Sequence, residues 1–339
     1  MSKDIKKYIR EKYQNKTLYF DEYMDESLYS EFGFFNTEIV RSSKEGDFLT
    51  SPEVSKYFGA FIANFINKTN PQGDVLEIGA GTGSLAKQID ELISQKLYLI
   101  ETSLMALNKL KEENFEVEKN PEKLSNKNID LIYMNELLDN IPCSIAINKD
   151  EKWYEKTINT EEEFKYELSD IREENLEWIK KYNFHPIDNV ELEIQYNSEK
   201  FLDRVINIFE PNYILIFDYG YKYEDRHKKP YPSLLRTYKS HHLSTDPLME
   251  PGGTDITYDV NFSFLKSYFE KKNFEVELTY QYKFLDNYGY DEIYKKLKNN
   301  FQITSGVDQL KIKSDLVGLE AIHNERGLGG FYTLIAKKI

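Results

Sequence analysis

Residues 74–83, Asp-Val-Leu-Glu-Ile-Gly-Ala-Gly-Thr-Gly, give the strongest indication of the fold. The first part of this stretch predicts a short buried strand. The glycines that follow let the backbone turn tightly and approach a ligand closely. A helix is predicted from this turn to about Leu92. A strand, a glycine-rich turn and a helix in this order are typical of α/β folds that bind cofactors.

Strands and helices alternate on both sides of this turn, which predicts a parallel sheet with right-handed crossovers. The predicted strands are 74–79, 96–101, 115–118, 129–134, 213–217, 274–279 and 331–336. The predicted helices are 52–69, with Ser51 as its N-cap, 84–92, 104–110, 201–209 and 262–272. Residues 161–181 interrupt the alternation and predict one long acidic amphipathic helix inside an insertion. Residues 221–253 predict a long loop, and loops of this length usually have a function.

Composition excludes several classes of protein. The chain has 339 residues, with 58 acidic and 44 basic side chains and a net charge of −14. Nucleic acid is therefore not the expected partner, because phosphate binding needs clustered Lys and Arg. The single cysteine, Cys143, excludes an internal disulfide and a cysteine-based zinc site, and five histidines without an HExxH motif give no reason to expect a metal. No apolar stretch is long enough to span a membrane, so we expect a soluble intracellular protein.

The glycine turn and the acid after it predict a cofactor site. Gly79, Gly81 and Gly83 follow the spacing G-x-G-x-G, whereas a dinucleotide site requires G-x-G-x-x-G for its pyrophosphate. This spacing suits S-adenosylmethionine, which has no phosphate, and Glu77 would lie near its positively charged end. Glu101 ends the next strand and would accept both ribose hydroxyls. The alternative is an ordinary tight turn with a surface glutamate.

The carboxyl end of the strand 129–134 carries a second candidate group, because ligands of open parallel sheets bind at these ends. Asn135, Glu136 and Asp139 follow this strand and would face the transferred methyl group. Carboxylates at this place can hold a cation such as a guanidinium. The alternative is a helix start with Asn135 as its cap. Asp218 ends another buried strand and would line the substrate crevice or cap local backbone amides.

Several blocks of sequence together resemble the MidA-type methyltransferases, a family that includes the mitochondrial complex I assembly arginine methyltransferase. The matches keep their order over nearly the whole chain. The blocks are GDFLTSPEVSKYFG at 46–59, NELLDNIP at 135–142, DYG at 218–220, LRTYKSH at 235–241, DPL to GGTDIT at 246–257 with VNF at 260–262, and LGGF at 328–331. Asn261 departs from the family pattern, which has Asp before the phenylalanine.

The resemblance implies a class I methyltransferase fold, which is a Rossmann-like, mostly parallel seven-stranded sheet with helices on both faces and an inserted region that covers the substrate. The expected regions are an N-terminal helical region at 1–70 that contributes to the cofactor pocket, the first part of the core at 71–150, an insertion at 151–200, and the second part of the core at 201–339 with a lid loop at 221–257.

The resemblance also assigns candidate roles to further residues. The start of the first predicted helix is expected to reach the cofactor pocket, and a second group is expected to line the substrate site or order the lid. The first group is Thr50, Pro52 and Glu53, and the second is Tyr219, Arg236, Tyr238, His241 and Asp255. Packing within the loop is the alternative for the lid residues, and a hydrogen-bonded loop histidine is the alternative for His241.

These observations favour an S-adenosylmethionine-dependent methyltransferase that acts on an arginine of a partner protein, with symmetric dimethylation as one form. Glu136 and Asp139 are expected to orient the target nitrogen. The alternatives are methylation of a small molecule or another side chain, and a cofactor-binding assembly factor with little catalysis. A nicotinamide oxidoreductase is disfavoured by the glycine spacing. A homodimer is left open, and the expected location is the cytoplasm, or the mitochondrial matrix in a eukaryote.

Overall fold

A computed structural model gives the structure of the chain. It describes residues 2–14, 16–36, 50–187, 190–239, 242–244 and 246–339. Within these ranges, no helix is both long enough and apolar enough to cross a membrane.

The described residues form α-helices and β-strands that we number in chain order. The helices α1 to α12 are Ser2–Lys12, Phe20–Tyr29, Ser51–Val54, Phe58–Thr69, Ser84–Ile89, Leu104–Glu112, Glu173–Lys181, Tyr196–Phe209, Phe262–Lys271, Gln281–Asn287, Tyr290–Ile303 and Gly306–His323. The strands β1 to β17 are Leu18–Tyr19, Asp74–Ile78, Leu97–Ile100, Glu116–Glu118, Ile129–Asn135, Ser144–Lys149, Lys152–Asn159, Lys165–Asp170, Glu191–Ile194, Tyr213–Asp218, Gly220–Tyr221, Leu235–Lys239, His242–Ser244, Asp255–Tyr258, Val260–Asn261, Phe274–Tyr280 and Tyr332–Lys338.

The chain divides into two compact units. The core unit comprises Ser42–Glu136, Val205–Tyr219 and Phe269–Ile339, and the inserted unit comprises Met1–Arg41, Leu137–Arg204 and Gly220–Tyr268. The four regions expected from the sequence divide the chain differently: the structure groups residues 1–41 with the insertion, and the inserted unit includes the whole of the expected lid at 221–257.

The core unit is built on a seven-stranded sheet with the order β16-β17-β10-β5-β2-β3-β4. β10, β5, β2, β3 and β4 pair in parallel, and β17 alone runs antiparallel to its neighbours. The predicted mostly parallel seven-stranded sheet is therefore confirmed. The strand order reverses between β2 and β5, and ligands of such sheets bind at the carboxyl ends of the strands beside this switch point.

β3 and β10 are nearly continuous buried apolar runs, as expected for parallel strands with both faces covered. Aromatic rings make much of this packing. Phe58 and Phe284 each pack edge-on against Phe217 of β10, with ring centroids 5.3 Å and 5.0 Å apart. Each fully buried aromatic side chain removes a large apolar area from water, so these contacts hold α4 and α10 on the sheet.

The two larger sheets of the inserted unit are antiparallel, whereas its short strands β11 and β15 pair in parallel. β7 lies at the centre of its larger sheet and pairs with β1, β6 and β8, while β9 pairs with β6. A smaller sheet has the order β13-β12-β14. The long loop predicted at 221–253 is therefore wrong in part, since β12 and β13 lie within it. Thr237 and Tyr238 of β12 pair with β14 on one side and with β13 on the other, and this pairing overrides the loop-like composition.

The single helix predicted over residues 161–181 is also wrong. The structure has β8 at Lys165–Asp170 and the shorter helix α7 at Glu173–Lys181. β8 pairs with β7 from Tyr154↔Asp170 to Asn159↔Lys165. Pairing with the preceding strand therefore outweighs the local helical spacing.

The helix predicted over residues 52–69 is interrupted. α3 ends at Val54, Ser55 is extended with φ −135° and ψ 122°, and α4 starts at Phe58. The N-cap is Thr50 rather than Ser51, and Glu53 completes a capping box with it. The region of α10 to α12, at 281–323, had no predicted elements and is helical in the structure.

Candidate active site

The glycine turn follows β2 at the switch point of the sheet. Gly79, Gly81 and Gly83 have φ values of 81°, 52° and 75°, a region that side chains other than glycine rarely adopt. Space is limiting as well at Gly83, because a Cβ there would lie 2.5 Å from Cδ2 of Leu110. The turn therefore requires glycine for conformation, and its backbone is open to a ligand.

Glu101 lies directly against this turn. Its carboxylate accepts the N–H of Gly81 at 2.7 Å through one oxygen and the N–H of Ser103 at 2.7 Å through the other. Burial raises the pKa of Glu101, and the backbone N–H donors oppose this rise because they stabilise the charged form. The structure thus brings Glu101 to the glycine turn, as the sequence predicts.

Glu77 lies within β2 and is only 3% exposed. The hydroxyl of Tyr133, on the neighbouring strand β5, donates to its carboxylate at 2.9 Å. Burial raises the pKa of Glu77 to about 8, and the Tyr133 hydrogen bond opposes this rise. At neutral pH this carboxyl is therefore mostly protonated, and a cation placed beside it would favour its ionised form.

Glu136 follows β5 and has a left-handed backbone, with φ of 50°. Its N–H donates to the carbonyl of Phe217 at 2.8 Å, which fixes this conformation. Its carboxylate accepts the backbone N–H of Ser51 at 3.3 Å and the side-chain amide of Asn135 at 3.2 Å. A strained backbone of this kind persists where the surroundings hold it, often at functional sites.

Ser51 lies at the start of α3, and its hydrogen bond to Glu136 connects this helix to the carboxyl end of β5. Pro52 is also fixed from another side, because the side chain of Gln88 on α5 donates to its carbonyl at 2.6 Å. The same Gln88 accepts the N–H of Gly59 at 2.8 Å. A cleft of about 430 Å³ runs along this segment, lined by residues of α3, the glycine turn, α5, α6 and α12, among them Glu53, Thr82, Lys87, Lys109 and Asp315. The predicted residues Thr50, Pro52 and Glu53 therefore lie in the same unit as the glycine turn.

Asp218 ends β10 and is fully buried. It accepts the N–H of Tyr219 at 2.9 Å, which is the local backbone capping that the sequence left as its alternative role. The ring of Tyr219 packs on Phe331, with centroids 5.5 Å apart. Asp218 and Tyr219 belong to the core unit and lie at the carboxyl end of β10.

The remaining predicted residues belong to the inserted unit. Asp139 is buried, and its neighbour Asn140 donates to Oδ1 of Asp255 at 2.8 Å. Tyr238 faces Asp255 across the pair of β12 and β14. These residues therefore meet within one small sheet and its neighbouring turn.

Arg236 of β12 forms an ion pair of 2.6 Å with Asp259. Lys229 pairs with the same carboxylate at 2.5 Å. These contacts fit the alternative of packing inside the predicted lid. His241 lies outside the described residues.

Sequence reasoning missed Gln88, Asn140 and Asp259. Asn140 stands inside the quoted block at 135–142, so the block itself was a usable signal. Gln88 and Asp259 carry no local pattern, since their partners are distant backbone groups or side chains. Among the described residues, no group of three or more His, Cys, Asp or Glu could hold a metal ion.

The strand order, with one reversed strand next to the edge, and the glycine turn after β2 define a class I methyltransferase fold. Two solved structures from Burkholderia thailandensis agree: one, bound to S-adenosyl-homocysteine, has a TM-score of 0.84, and the other, a native form, has 0.82. Each is 19% identical and covers 99% of this chain and 92% of its own.

Residues 57–279 match a family model described as putative S-adenosyl-L-methionine-dependent methyltransferase. The chain belongs to this family, and its cofactor is S-adenosylmethionine. Two curated relatives support the predicted MidA-type membership. The Drosophila melanogaster protein arginine methyltransferase NDUFAF7 homolog, mitochondrial, is 25% identical over 302 residues, covering 72% of this chain and 65% of the relative. The mitochondrial protein arginine methyltransferase NDUFAF7 of Mus musculus is 24% identical over 354 residues, covering 91% and 78%.

Proposed function

We propose that this methyltransferase transfers its methyl group to an arginine side chain of a partner protein. The names of the fly and mouse relatives support this substrate class, although the match spans only 65% of the length of the fly protein. Both relatives are named as mitochondrial, which supports the mitochondrial matrix as the location if the source is a eukaryote.

The observation that carries the proposal is the carboxylate of Glu136 at the carboxyl end of β5. It is half-buried, fixed by two N–H donors, and set on a strained backbone. Fixed carboxylates bind guanidinium groups through paired charge-assisted hydrogen bonds. A mobile carboxylate on the surface would add little to the binding free energy of a guanidinium. We therefore expect the substrate-binding carboxylate to be preorganised.

The cofactor contacts belong to the same proposal. Glu101 has each oxygen hydrogen-bonded once by a backbone N–H and can still accept ribose hydroxyls with its remaining lone pairs. Glu77 would ionise beside the cationic amino-acid end, and the glycine turn would contact the cofactor through backbone alone. The buried acid and the open turn both fit S-adenosylmethionine. Thr50, Pro52, Glu53 and Asn135 are further proposed contacts from the elements around the turn.

The bound cofactor supplies a methyl group on a sulfonium, a good leaving group. The residues of the chain position the nucleophile. A guanidinium has a pKa above about 12, so Glu136 does not act by simple deprotonation in the ground state. It would hold the group so that one nitrogen lies in line with the methyl carbon. As the nitrogen–carbon bond forms and the carbon–sulfur bond breaks, the guanidinium would gain the charge of the sulfonium, and Glu136 would stabilise this additional positive charge until that nitrogen loses a proton to solvent. Asp139, Asp218, Tyr219, Arg236, Tyr238, His241 and Asp255 are proposed to shape the substrate side.

The test uses labelled S-adenosylmethionine and a short peptide with one arginine, compared with the same peptide carrying lysine. We expect label on the arginine peptide alone, identified as methylarginine by mass spectrometry. Glu136→Gln should lower turnover by at least about a hundredfold, the scale of losing one preorganised transition-state contact. Its cofactor affinity should stay within about threefold of wild type, since a hydrogen bond of the neutral amide replaces the carboxylate.

Glu116→Gln is the matched control, because this exposed glutamate of β4 lies away from the strand ends beside the switch point. It should keep wild-type turnover. Label on lysine or on a small molecule of a lysate would refute arginine as the target. Wild-type turnover in Glu136→Gln would refute the proposed role of this carboxylate. A protein that binds the cofactor but labels nothing would favour an assembly role.

A further inference from the structure

Gln281 begins α10 and is fully buried, with 0% of its surface exposed. Its side-chain N–H donates to the carbonyl of Ile322 at 2.8 Å, and its side-chain oxygen accepts the hydroxyl of Ser51 at 3.3 Å. Its backbone N–H donates to the carbonyl of Phe331 at 2.7 Å. A buried amide with both ends paired is costly to disturb, because each partner would lose its hydrogen bond.

Ser51 connects Gln281 to the candidate active site, because it contacts both Gln281 and Glu136. Ser51 is itself fully buried, and its backbone N–H donates to Glu136 at 3.3 Å. Because Gln281 fixes the hydroxyl of Ser51, it also fixes the direction of the N–H that reaches Glu136. The chain of contacts therefore runs from Gln281 through one residue to the proposed substrate-binding carboxylate.

The helix that carries Ser51 needs outside support. α3 has four residues, and a single turn is not stable by itself. Its last residue packs closely on α12, where a Cβ on Gly318 would lie 2.5 Å from the carbonyl oxygen of Val54. Gln281 bonds to Ile322, one turn further along α12. α12 thus supports both ends of α3, at one end by close packing and at the other through the amide of Gln281.

We propose that Gln281 is a positioning residue for Glu136, which it orients through Ser51. This inference rests on the proposed role of Glu136 in holding the target nitrogen. Glutamine suits the position because it has a donor and an acceptor at the end of one flexible stem. A side chain of equal volume without them would fill the space but leave Ser51 unfixed.

The first experiment needs no substrate. Native-state hydrogen exchange, followed by NMR, measures the amide of Ser51 in the full-length protein. Gln281→Met keeps the volume and removes both side-chain hydrogen bonds, so exchange at Ser51 should become about tenfold faster, the scale of one lost hydrogen bond. Leu285→Ala on the same helix is the control, because it removes buried apolar contact and no polar partner. It should lower global stability but leave Ser51 exchange at the rate that this loss alone predicts.

The second experiment uses Gln281→Glu and the arginine peptide. A protonated carboxyl group can still donate to Ile322 and accept from Ser51, whereas a carboxylate cannot donate. Burial raises the pKa of an introduced carboxyl, so turnover relative to wild type should be near one at low pH. It should fall about tenfold as the pH rises past that pKa, with the affinity for S-adenosylmethionine changed less than threefold.

The outcomes separate the two proposals. Unchanged Ser51 exchange in Gln281→Met, or a turnover ratio of Gln281→Glu that is independent of pH, would overturn the positioning role. If wild-type protein labels no arginine peptide, the proposed function fails while the exchange experiment still decides the role of Gln281. If Gln281→Met does not fold, Gln281→Glu at low and high pH provides the same exchange comparison.

Discussion

Replacing Glu77 with glutamine should change how cofactor affinity depends on pH. Burial raises the pKa of Glu77 to about 8 in the empty protein. We expect the positively charged amino group of the cofactor to require the ionised carboxylate. Binding must then remove a proton at any pH below about 8. Glu77→Gln has no proton to lose, so its affinity should not vary with pH through this group.

The size of the effect follows from the fraction of protein with an ionised Glu77. With a pKa of about 8, this fraction is about 1% at pH 6 and about 9% at pH 7, and the apparent Kd scales with its inverse. Affinity for S-adenosyl-homocysteine should therefore rise about ninefold from pH 6 to pH 7, close to the tenfold change that each pH unit gives a single proton. The comparison stays below pH 8 because α-amino groups themselves titrate at about 7.7 to 8.0.

Isothermal titration calorimetry at pH 6 and pH 7 measures this directly, with a buffer change to count the released protons. Tyr133→Phe is the matched control, because it removes the hydrogen bond that opposes the rise in the pKa of Glu77. It should keep the ninefold to tenfold step and bind more weakly at pH 7. Methylthioadenosine, which lacks the α-amino group of the cofactor, should bind the wild-type protein with equal affinity at both values of pH.

Equal wild-type affinity at pH 6 and pH 7 would refute the reasoning. A step that persists in Glu77→Gln would assign the proton to another group, and Glu101, whose pKa burial also raises, is the nearest candidate.

The pH dependence of folding stability gives a second check on the direction of the pKa shift of Glu77. The folded protein keeps the proton of Glu77 between about pH 4.5 and pH 8 and the unfolded chain does not, so this group makes stability fall as the pH rises through that window.

Two further predictions concern stability. Gly83→Ala places a methyl group 2.5 Å from Leu110 on a backbone with φ of 75°, so thermal unfolding should show a loss of about 1–3 kcal/mol; an unchanged melting temperature would contradict this. On α12, Leu319→Ala should cost about 2–5 kcal/mol in urea unfolding because Leu319 is fully buried. Leu310→Ala, at a position 65% exposed on the same helix, should stay within about 0.5 kcal/mol, and equal losses would be inconsistent with these burials.

The sequence was sufficient to predict the parts of the fold that short sequence patterns specify. The glycine turn after 74–78, the acid at the end of the next strand and the alternation of elements predicted the sheet of the core unit. It was insufficient where strand pairing competes with a helical spacing of apolar residues. The segment 161–181 was predicted as one helix, although β8 within it pairs with the preceding strand β7 from Asn159↔Lys165. β12 and β13 look like loop because Pro, His and Lys surround them, although cross-strand partners specify the strands.

The same distinction applies to the candidate site. Glu77, Glu101 and Glu136 could be proposed from the sequence because strand ends in a parallel sheet are predictable positions. Gln281 and Gln88 were not found, because a buried glutamine that bonds to distant backbone carbonyls or N–H groups has no periodicity or spacing. A search for buried amides with both ends paired needs the structure.

Three glutamates at neighbouring strand ends show why residue type alone does not predict a role. Glu77 has one hydrogen-bond donor, the Tyr133 hydroxyl, and burial raises its pKa to about 8, so a bound cation should increase its ionised fraction near neutral pH. Glu101 receives two backbone N–H donors, which favour its charged form. Glu136 is half-buried and carries its carboxylate on a left-handed backbone, with its direction set by Ser51. Because buried unpaired charge is unfavourable, a carboxyl like Glu77 distinguishes a cationic ligand from a neutral one of the same shape, whereas fixed carboxylates like the other two set direction more than affinity.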